Sequence, residues 1–239
     1  MVNLSSYFAF IAWFALLVLF SFILDYLWCR IFPRRGYRLF ITLGIITHEL
    51  SHAVACVLMR ARISRIRFFA PEGGAVEHGP PKVPIIGKPL IGLAPLFGCS
   101  LTLLGLFFLF KYQQDLPSID FGASFFSNLT ELFQSAADFF SSYASQWTFW
   151  FFLYLAVSIA ASIAPSAADF KNAFWGILFL AVLGWAMIYF KIGDQFVDKI
   201  INQYLGRIIT LGALMESIAL IITVPIYFIK KLVARNALF

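Results

Sequence analysis

The sequence predicts an all-α polytopic membrane protein of about six transmembrane helices, with a small β-hairpin or membrane-associated strand segment after the second helix. Three observations lead to this prediction. Of the 239 residues, 61% are hydrophobic and 13% are charged, whereas soluble domains are about a quarter charged. The apolar residues are gathered in runs of about 20, the length that a helix needs to cross a bilayer. A short, partly alternating stretch after the second run is typical of strands.

Six apolar runs have a length suited to crossing a bilayer. They cover about 7–28, 37–59, 89–110, 147–164, 172–190 and 208–228. The third run contains Gly92, Pro95 and Gly98, which permit a kink and a close approach of neighbouring helices. Because the runs occupy nearly the whole chain, we expect one transmembrane domain over residues 1–239 and no separate soluble domain.

The connection between the second and third runs is too polar to cross a membrane. Residues 63–69 partly alternate apolar and basic side chains, a turn signal follows at 71–74, and residues 75–77 can return as a second strand. The connection after the third run has apolar residues at helical spacing between Leu129 and Tyr143. That spacing predicts an amphipathic helix, either lying along the membrane surface or serving as a lid.

The net charge of +6 does not indicate nucleic-acid binding, because the basic residues sit in short clusters beside apolar runs. With both termini inside, a small excess of Lys and Arg falls on the cytosolic segments. This orientation places the 60–88 loop in the cytosol. The three cysteines, Cys29, Cys56 and Cys99, lie within apolar runs, which favours free, buried thiols over a disulfide framework.

The middle of the second run carries an H-E-x-x-H motif, from His48 to His52. Residues four apart share one face of a helix, so both imidazoles can converge on one metal ion. Glu49 then lies beside that ion, where it can take a proton from a bound water. Ionisable groups are costly inside a membrane unless they have a partner or a function. The motif therefore predicts a catalytic metal site, with a satisfied polar cluster or a proton relay as the alternative.

A third metal ligand has three candidates, since a catalytic zinc ion usually has three protein ligands and one open position. Asp169 follows Pro165 between two runs, and it can either reach the metal or cap the next helix. Glu216 lies in the middle of the last run and needs a partner of some kind. His78, just beyond the predicted hairpin, is either a ligand or a surface histidine. The residues alone leave this choice open.

Four pieces of the chain, in this order, resemble the site-2 protease family of intramembrane zinc metalloproteases. They are the motif His48–His52 inside a span, Gly73-Gly74-Ala75-Val76, Gly92-Leu93-Ala94-Pro95 and Pro165-Ser166-Ala167-Ala168-Asp169. The six-span layout is also similar to the core of that family. The resemblance therefore covers most of the chain.

The resemblance implies that His48, His52 and Asp169 bind Zn²⁺ and that Glu49 acts as the general base. It also implies a substrate-binding strand segment, formed by Gly73, Gly74, Ala75 and Val76. The implied activity is hydrolysis of peptide bonds in or near the transmembrane segments of membrane proteins. The expected partners are membrane-protein substrates with a transmembrane helix, and the lipid bilayer. We expect a multi-pass membrane protein whose site lies nearer the cytosolic face.

The sequence is also compatible with two other classes of protein. A prenyl-protein protease resembles the chain in the motif but uses a glutamate as its third metal ligand, which would favour Glu216. A non-enzymatic membrane transporter or binding protein would not require Glu49 between the two histidines. Transporters also tend to have broken helices in paired halves, and no such symmetry is visible in the sequence.

Overall fold

The computed structural model describes residues 4–32, 36, 38–69, 74–115, 123–163, 166–192 and 206–236. Within these ranges the chain is predominantly helical, with one small antiparallel sheet. The helices are α1 Leu4–Ile31, α2 Thr42–Leu58, α3 Pro84–Gly92, α4 Ala94–Leu109, α5 Phe125–Tyr143, α6 Trp147–Ala160, α7 Ala167–Tyr189 and α8 Gly206–Asn236. The strands are β1 Ile63–Arg67 and β2 Ala75–His78.

Two of the described helices are long and apolar enough to cross a membrane by themselves, over Tyr7–Ile31 in α1 and Ile209–Ala234 in α8. Helices α3 and α4 meet at a bend of 43° and could together form a third span. Helices α2 and α6 are apolar, but their 17 and 14 residues fall short of the ~20 that a straight span needs. Length and composition of the described helices thus support two or three spans, fewer than the predicted six.

The third predicted run begins earlier in the structure and is divided. Helix α3 starts at Pro84, so the charged Lys88 lies inside a helix rather than in the preceding loop. Leu93 ends α3 and precedes α4, whose first turn contains Pro95. Proline is tolerated in a first helical turn because its missing N–H would have no helical partner there. The break at this point turns the predicted kink into two helices.

The predicted hairpin is present. Strands β1 and β2 pair antiparallel, with Ile66 opposite Val76, and an irregularity interrupts the register between Ile63 and Arg65. His78 is the last residue of β2 rather than a residue beyond it. The turn signal at 71–73, including Gly73, lies outside the described residues.

The main apolar core forms where α1 and α8 lie side by side and run in the same direction. The indole N–H of Trp28 donates to Thr223 Oγ1 over 3.0 Å, and farther along Lys230 Nζ donates to the carbonyl of Ile31. Helices α4, α5 and α6 pack against this pair. The fully buried aromatic side chains of the core are Trp13, Phe107, Phe149 and Phe152.

Helix α5 is amphipathic, as its sequence predicts, and much of its apolar face packs against other helices. The ring of Phe125 lies 5.6 Å from that of Trp13, and the ring of Phe133 lies 6.2 Å from that of Phe20, both on α1. Leu132 of α5 is buried in the shared core. The helix is therefore packed along α1 and α8, while Phe126 stays exposed.

Candidate metal centre

Helix α2 carries both histidines of the motif on one face. The four-residue spacing brings the Nε2 atoms of His48 and His52 to 3.2 Å from each other. His52 is buried and His48 is partly buried. Two ring nitrogens this close, with both lone pairs directed to the same space, form an arrangement suited to sharing one cation.

Asp169, in the first turn of α7, brings a carboxylate to the same point. Its Oδ1 lies 3.3 Å from His52 Nε2, and its Oδ2 lies 3.6 Å from His48 Nε2. One ligand atom from each of the three residues lies within 4.8 Å of the others. Within the part of the chain that the structure describes, this is the one group of three or more His, Cys, Asp or Glu side chains so arranged. The group can hold a metal ion.

Backbone carbonyls orient both imidazole rings. His48 Nδ1 lies 2.7 Å from the carbonyl oxygen of Ser162, and His52 Nδ1 lies 2.8 Å from that of Ile91. A carbonyl can only accept, so each Nδ1 must carry the proton and donate it. The Nε2 lone pairs are then free for a cation, an orientation common in protein metal sites.

Asp169 also belongs to the cap of α7, and Ser166 is its partner. The backbone N–H and the hydroxyl of Ser166 donate to Asp169 Oδ2 over 2.8 and 2.6 Å, and the Asp169 N–H lies 3.2 Å from Ser166 Oγ. This reciprocal pair is a capping box, with Ser166 before the helix and Asp169 inside its first turn. The two predicted roles of Asp169, ligand and cap, are therefore compatible, because the cap holds Oδ2 while Oδ1 stays near His52.

Glu49 lies next to the two histidines and is 6% exposed. The backbone at Gly74 passes directly over its carboxyl group, and a Cβ at position 74 would lie only 2.7 Å from Glu49 Cδ. Glycine at this position therefore lets the segment leading into β2 approach the acid closely.

A cavity of about 650 Å³ connects these residues. The two histidines, Glu49 and Asp169 form part of its wall, and the hairpin segment 74–79, which includes Ala75 and Val76, forms another part. The potential metal ligands thus face open space large enough for several residues of an extended peptide.

Two glycines set the position of α2 against its neighbours. The N–H of Gly44 donates to Ser158 Oγ of α6 over 3.1 Å, and a Cβ at position 44 would lie 2.7 Å from the Ser158 carbonyl carbon. On the α4 side, a Cβ at Gly98 would lie 2.7 Å from Ser51 Cβ. These close approaches hold the motif between α4 and α6, in the manner of small-residue contacts in membrane proteins.

The other two candidates for a third ligand are not part of the group. Glu216 is fully buried in α8, where its carboxyl group accepts a hydrogen bond from the Ser21 hydroxyl of α1. His78 lines the cavity, but its Nδ1 lies 2.8 Å from the carbonyl oxygen of Gly79 and the ring stands apart from the three ligand atoms. Cys29, Cys56 and Cys99 form no disulfide with one another, as expected, but Cys29 is exposed rather than buried.

Sequence reasoning missed the groups that orient the site. Ser166 had a usable signal, since Ser three residues before Asp169 is the spacing of a capping box. The carbonyls of Ser162 and Ile91 had none, because every residue carries a carbonyl and only the packing selects these two.

Comparisons of the chain with protein-family models, curated proteins and solved structures give no match. The fold and the site together define an apolar, predominantly helical protein with a His–His–Asp group able to hold a metal ion.

Proposed function

We propose that this protein is an intramembrane zinc endopeptidase of the site-2 protease type, which hydrolyses peptide bonds in or near the transmembrane segments of membrane proteins. One observation carries the proposal. His48, His52 and Asp169 converge, with Glu49 beside them, on a cavity among apolar helices.

The donor set favours zinc. Two neutral imidazoles and one carboxylate make up a common ligand set of catalytic zinc, which leaves a fourth position open. A zinc ion held there would lower the pKa of a bound water and polarise a peptide carbonyl. Glu49 accepts a proton during attack and returns it to the leaving amine. The carbonyls of Ser162 and Ile91 keep the two histidines in the required tautomer.

The position of the His–His–Asp group, measured along the apolar span of α1, supports a reaction inside the membrane. The Ser162 carbonyl orients His48, and the next residue, Ile163, packs beside Gly212 and Leu17. A Cβ on Gly212 would lie 3.2 Å from Ile163 Cδ1 and 3.0 Å from Leu17 Cδ1, so Leu17 marks the level of the site along α1. Leu17 is ten residues from Tyr7, the start of the apolar span of α1, a distance of ~15 Å along a helix. A bilayer core is about 30 Å thick, so this level is close to its middle.

We further propose that the shorter helices α2 and α6 lie in the bilayer with α1 and α8, as part of a multi-pass protein with about six membrane helices. The outward side of α2 supports this, because Leu50, Val54 and Val57 are 47%, 59% and 67% exposed. Apolar side chains exposed in this number along one helix are typical of lipid contact. The arginines of 60–67 follow α2, so the cavity end of the site faces the cytosol under the positive-inside rule.

The substrate would bind along β2. This strand pairs with β1 on one side, and residues 74–79 line the cavity that contains Glu49. An unwound substrate segment can add to such an edge through backbone hydrogen bonds. Addition would hold one peptide bond in extended form near the two histidines and Glu49.

The test is metal analysis and a cleavage assay on the same purified preparations, with a transmembrane peptide as substrate. We expect about one zinc per wild-type chain. Glu49→Gln should retain the zinc and lose cleavage by ~10²–10⁴-fold, the usual contribution of a general base. His52→Ala should lose both. Well-folded wild-type protein that carries no zinc when supplied with it would contradict the proposal.

A further inference from the structure

Helix α5 has a polar stripe on its exposed side. Glu131, Gln134 and Asp138 are all exposed, and their spacing of three and four residues places them on one line along the helix. The buried face of α5 lies on another side, with Leu132 and Ala136 in the main core.

This stripe lies alongside the interior of a membrane span. Helix α5 runs in the same direction as α1, since Phe125 meets Trp13 and Phe133 meets Phe20. Both α1 residues lie well inside the apolar span Tyr7–Ile31. Glu131 comes between Phe125 and Phe133, so it stands at a level between Trp13 and Phe20.

The surface of α1 at that depth is apolar. Phe8, Leu19 and Phe22 are 57%, 52% and 56% exposed; Leu19 lies within the level where α5 packs, and the two phenylalanines lie on either side of it. A neighbouring helix at the same depth would therefore present Glu131, Gln134 and Asp138 to lipid. Acidic side chains at such depth are costly and in known membrane proteins are paired or line an interior.

The charge of the stripe indicates what covers it. Helix α5 contains Glu131 and Asp138 but no Lys or Arg. A second copy of this chain placing the same stripe against its own would bring like charges together, which disfavours that pairing. A basic side chain would instead pair with the acids and, with Gln134, satisfy the polar groups along the stripe.

We propose that the Glu131–Gln134–Asp138 stripe docks a transmembrane helix of a different membrane protein, one that carries an Arg or Lys near the middle of its span. The proposal depends on α1 crossing a membrane and does not depend on the metal centre.

The test uses the full-length protein in lipid nanodiscs and a labelled transmembrane peptide of Leu and Ala with one central Arg. Matched peptides carry Leu or Glu at the centre. Energy transfer between protein and peptide should show about tenfold tighter association of the Arg peptide than of the Leu peptide, the scale of one polar contact between membrane helices. The Glu peptide should associate no better than the Leu peptide.

The double variant Glu131→Gln/Asp138→Asn should lose the preference for the Arg peptide. Thr130→Val is the matched control, because the Thr130 hydroxyl donates to the Phe126 carbonyl of its own helix over 2.9 Å and is not needed by a partner. Size-exclusion chromatography and circular dichroism confirm that each variant is folded. Metal content and peptide cleavage, measured on the same samples, report separately on the proposed protease.

Three outcomes would overturn the proposal. The first is equal binding of the Arg and Leu peptides, or a preference that survives the double variant. The second is a dimer of this chain that the double variant dissociates, which would assign the stripe to a second copy. The third is rapid labelling of Glu131→Cys by a membrane-impermeant thiol reagent, which would show that water covers the stripe. This experiment uses a Cys29→Ser background, because Cys29 is itself exposed.

Discussion

The histidine cluster of α2 and the carboxyl group of Glu216 in α8 are both ionisable sites among apolar helices, but their surroundings differ. His48, His52 and Asp169 bring three ligand atoms to one point beside a cavity of about 650 Å³. Glu216 is fully buried, and its carboxyl group accepts one hydrogen bond, from Ser21. The first site is open to water and to a ligand, whereas the second is closed.

This difference separates a group that can hold a metal ion from a buried polar contact. An ionisable residue in an apolar run shows only that the residue requires a partner. Convergence of several donors and access to open space are needed before metal chemistry is possible. Glu216 meets neither condition in the described structure, which removes the main support for a prenyl-protein protease with a glutamate ligand.

The largest expected effect is on zinc affinity, when Asp169 is replaced by Asn and compared with the matched variant Glu216→Gln. Asp169→Asn should weaken zinc binding by more than ~100-fold, because losing even an outer partner of a metal ligand costs ~10- to 100-fold and Asp169 is placed as a ligand itself. Glu216→Gln should leave zinc affinity unchanged, because its carboxyl group is bound to Ser21 rather than to the histidines. Titration with a competing chelator measures both affinities. Zinc loss in Glu216→Gln with retention in Asp169→Asn would reverse the assignment of the two sites.

An intermediate effect is expected from Gly74→Ala. The added methyl group would meet the Glu49 side chain, to which the three atoms nearest that Cβ all belong, and would displace its carboxyl group. Zinc content should stay the same while cleavage falls by ~10²-fold, a loss that a displacement of about 1 Å can cause. Gly105→Ala is the matched control, since a Cβ there meets nothing within 4 Å. Full activity in Gly74→Ala would show that the segment before β2 does not constrain the base.

The smallest expected effect concerns the contact between Ser21 and Glu216, and it is measured as a change in the free energy of unfolding. Ser21→Ala removes the hydroxyl that donates to Glu216, whose Oε2 has no partner among the described residues. This change should lower the free energy of unfolding by ~1–3 kcal/mol, the cost of a buried polar group without a hydrogen bond. Adding Glu216→Met should restore the stability, because both polar partners are then absent. Denaturant titration in micelles gives the values, and a double variant no more stable than Ser21→Ala would refute a purely structural role.

Local features of this protein follow from the sequence. The spacing of His48 and His52 places both rings on one face of α2, and the alternation before the 71–74 turn predicts the β1–β2 hairpin. These features depend on helix and strand periodicity, which involves neighbouring residues only. The length of an apolar run predicted helix length less well, since α2 and α6 are shorter than the apolar runs that contain them.

Only the tertiary structure decided which distant groups meet. It joined His48 to the Ser162 carbonyl across 114 positions and Glu216 to Ser21 across 195. It also placed Leu132 and Ala136 of α5 in the core that α1 and α8 share. Such pairings depend on how closely helices approach, as where Gly44 meets Ser158. The approach depends on the shapes of two packed surfaces, and periodicity within a single helix carries no information about the surface it will meet.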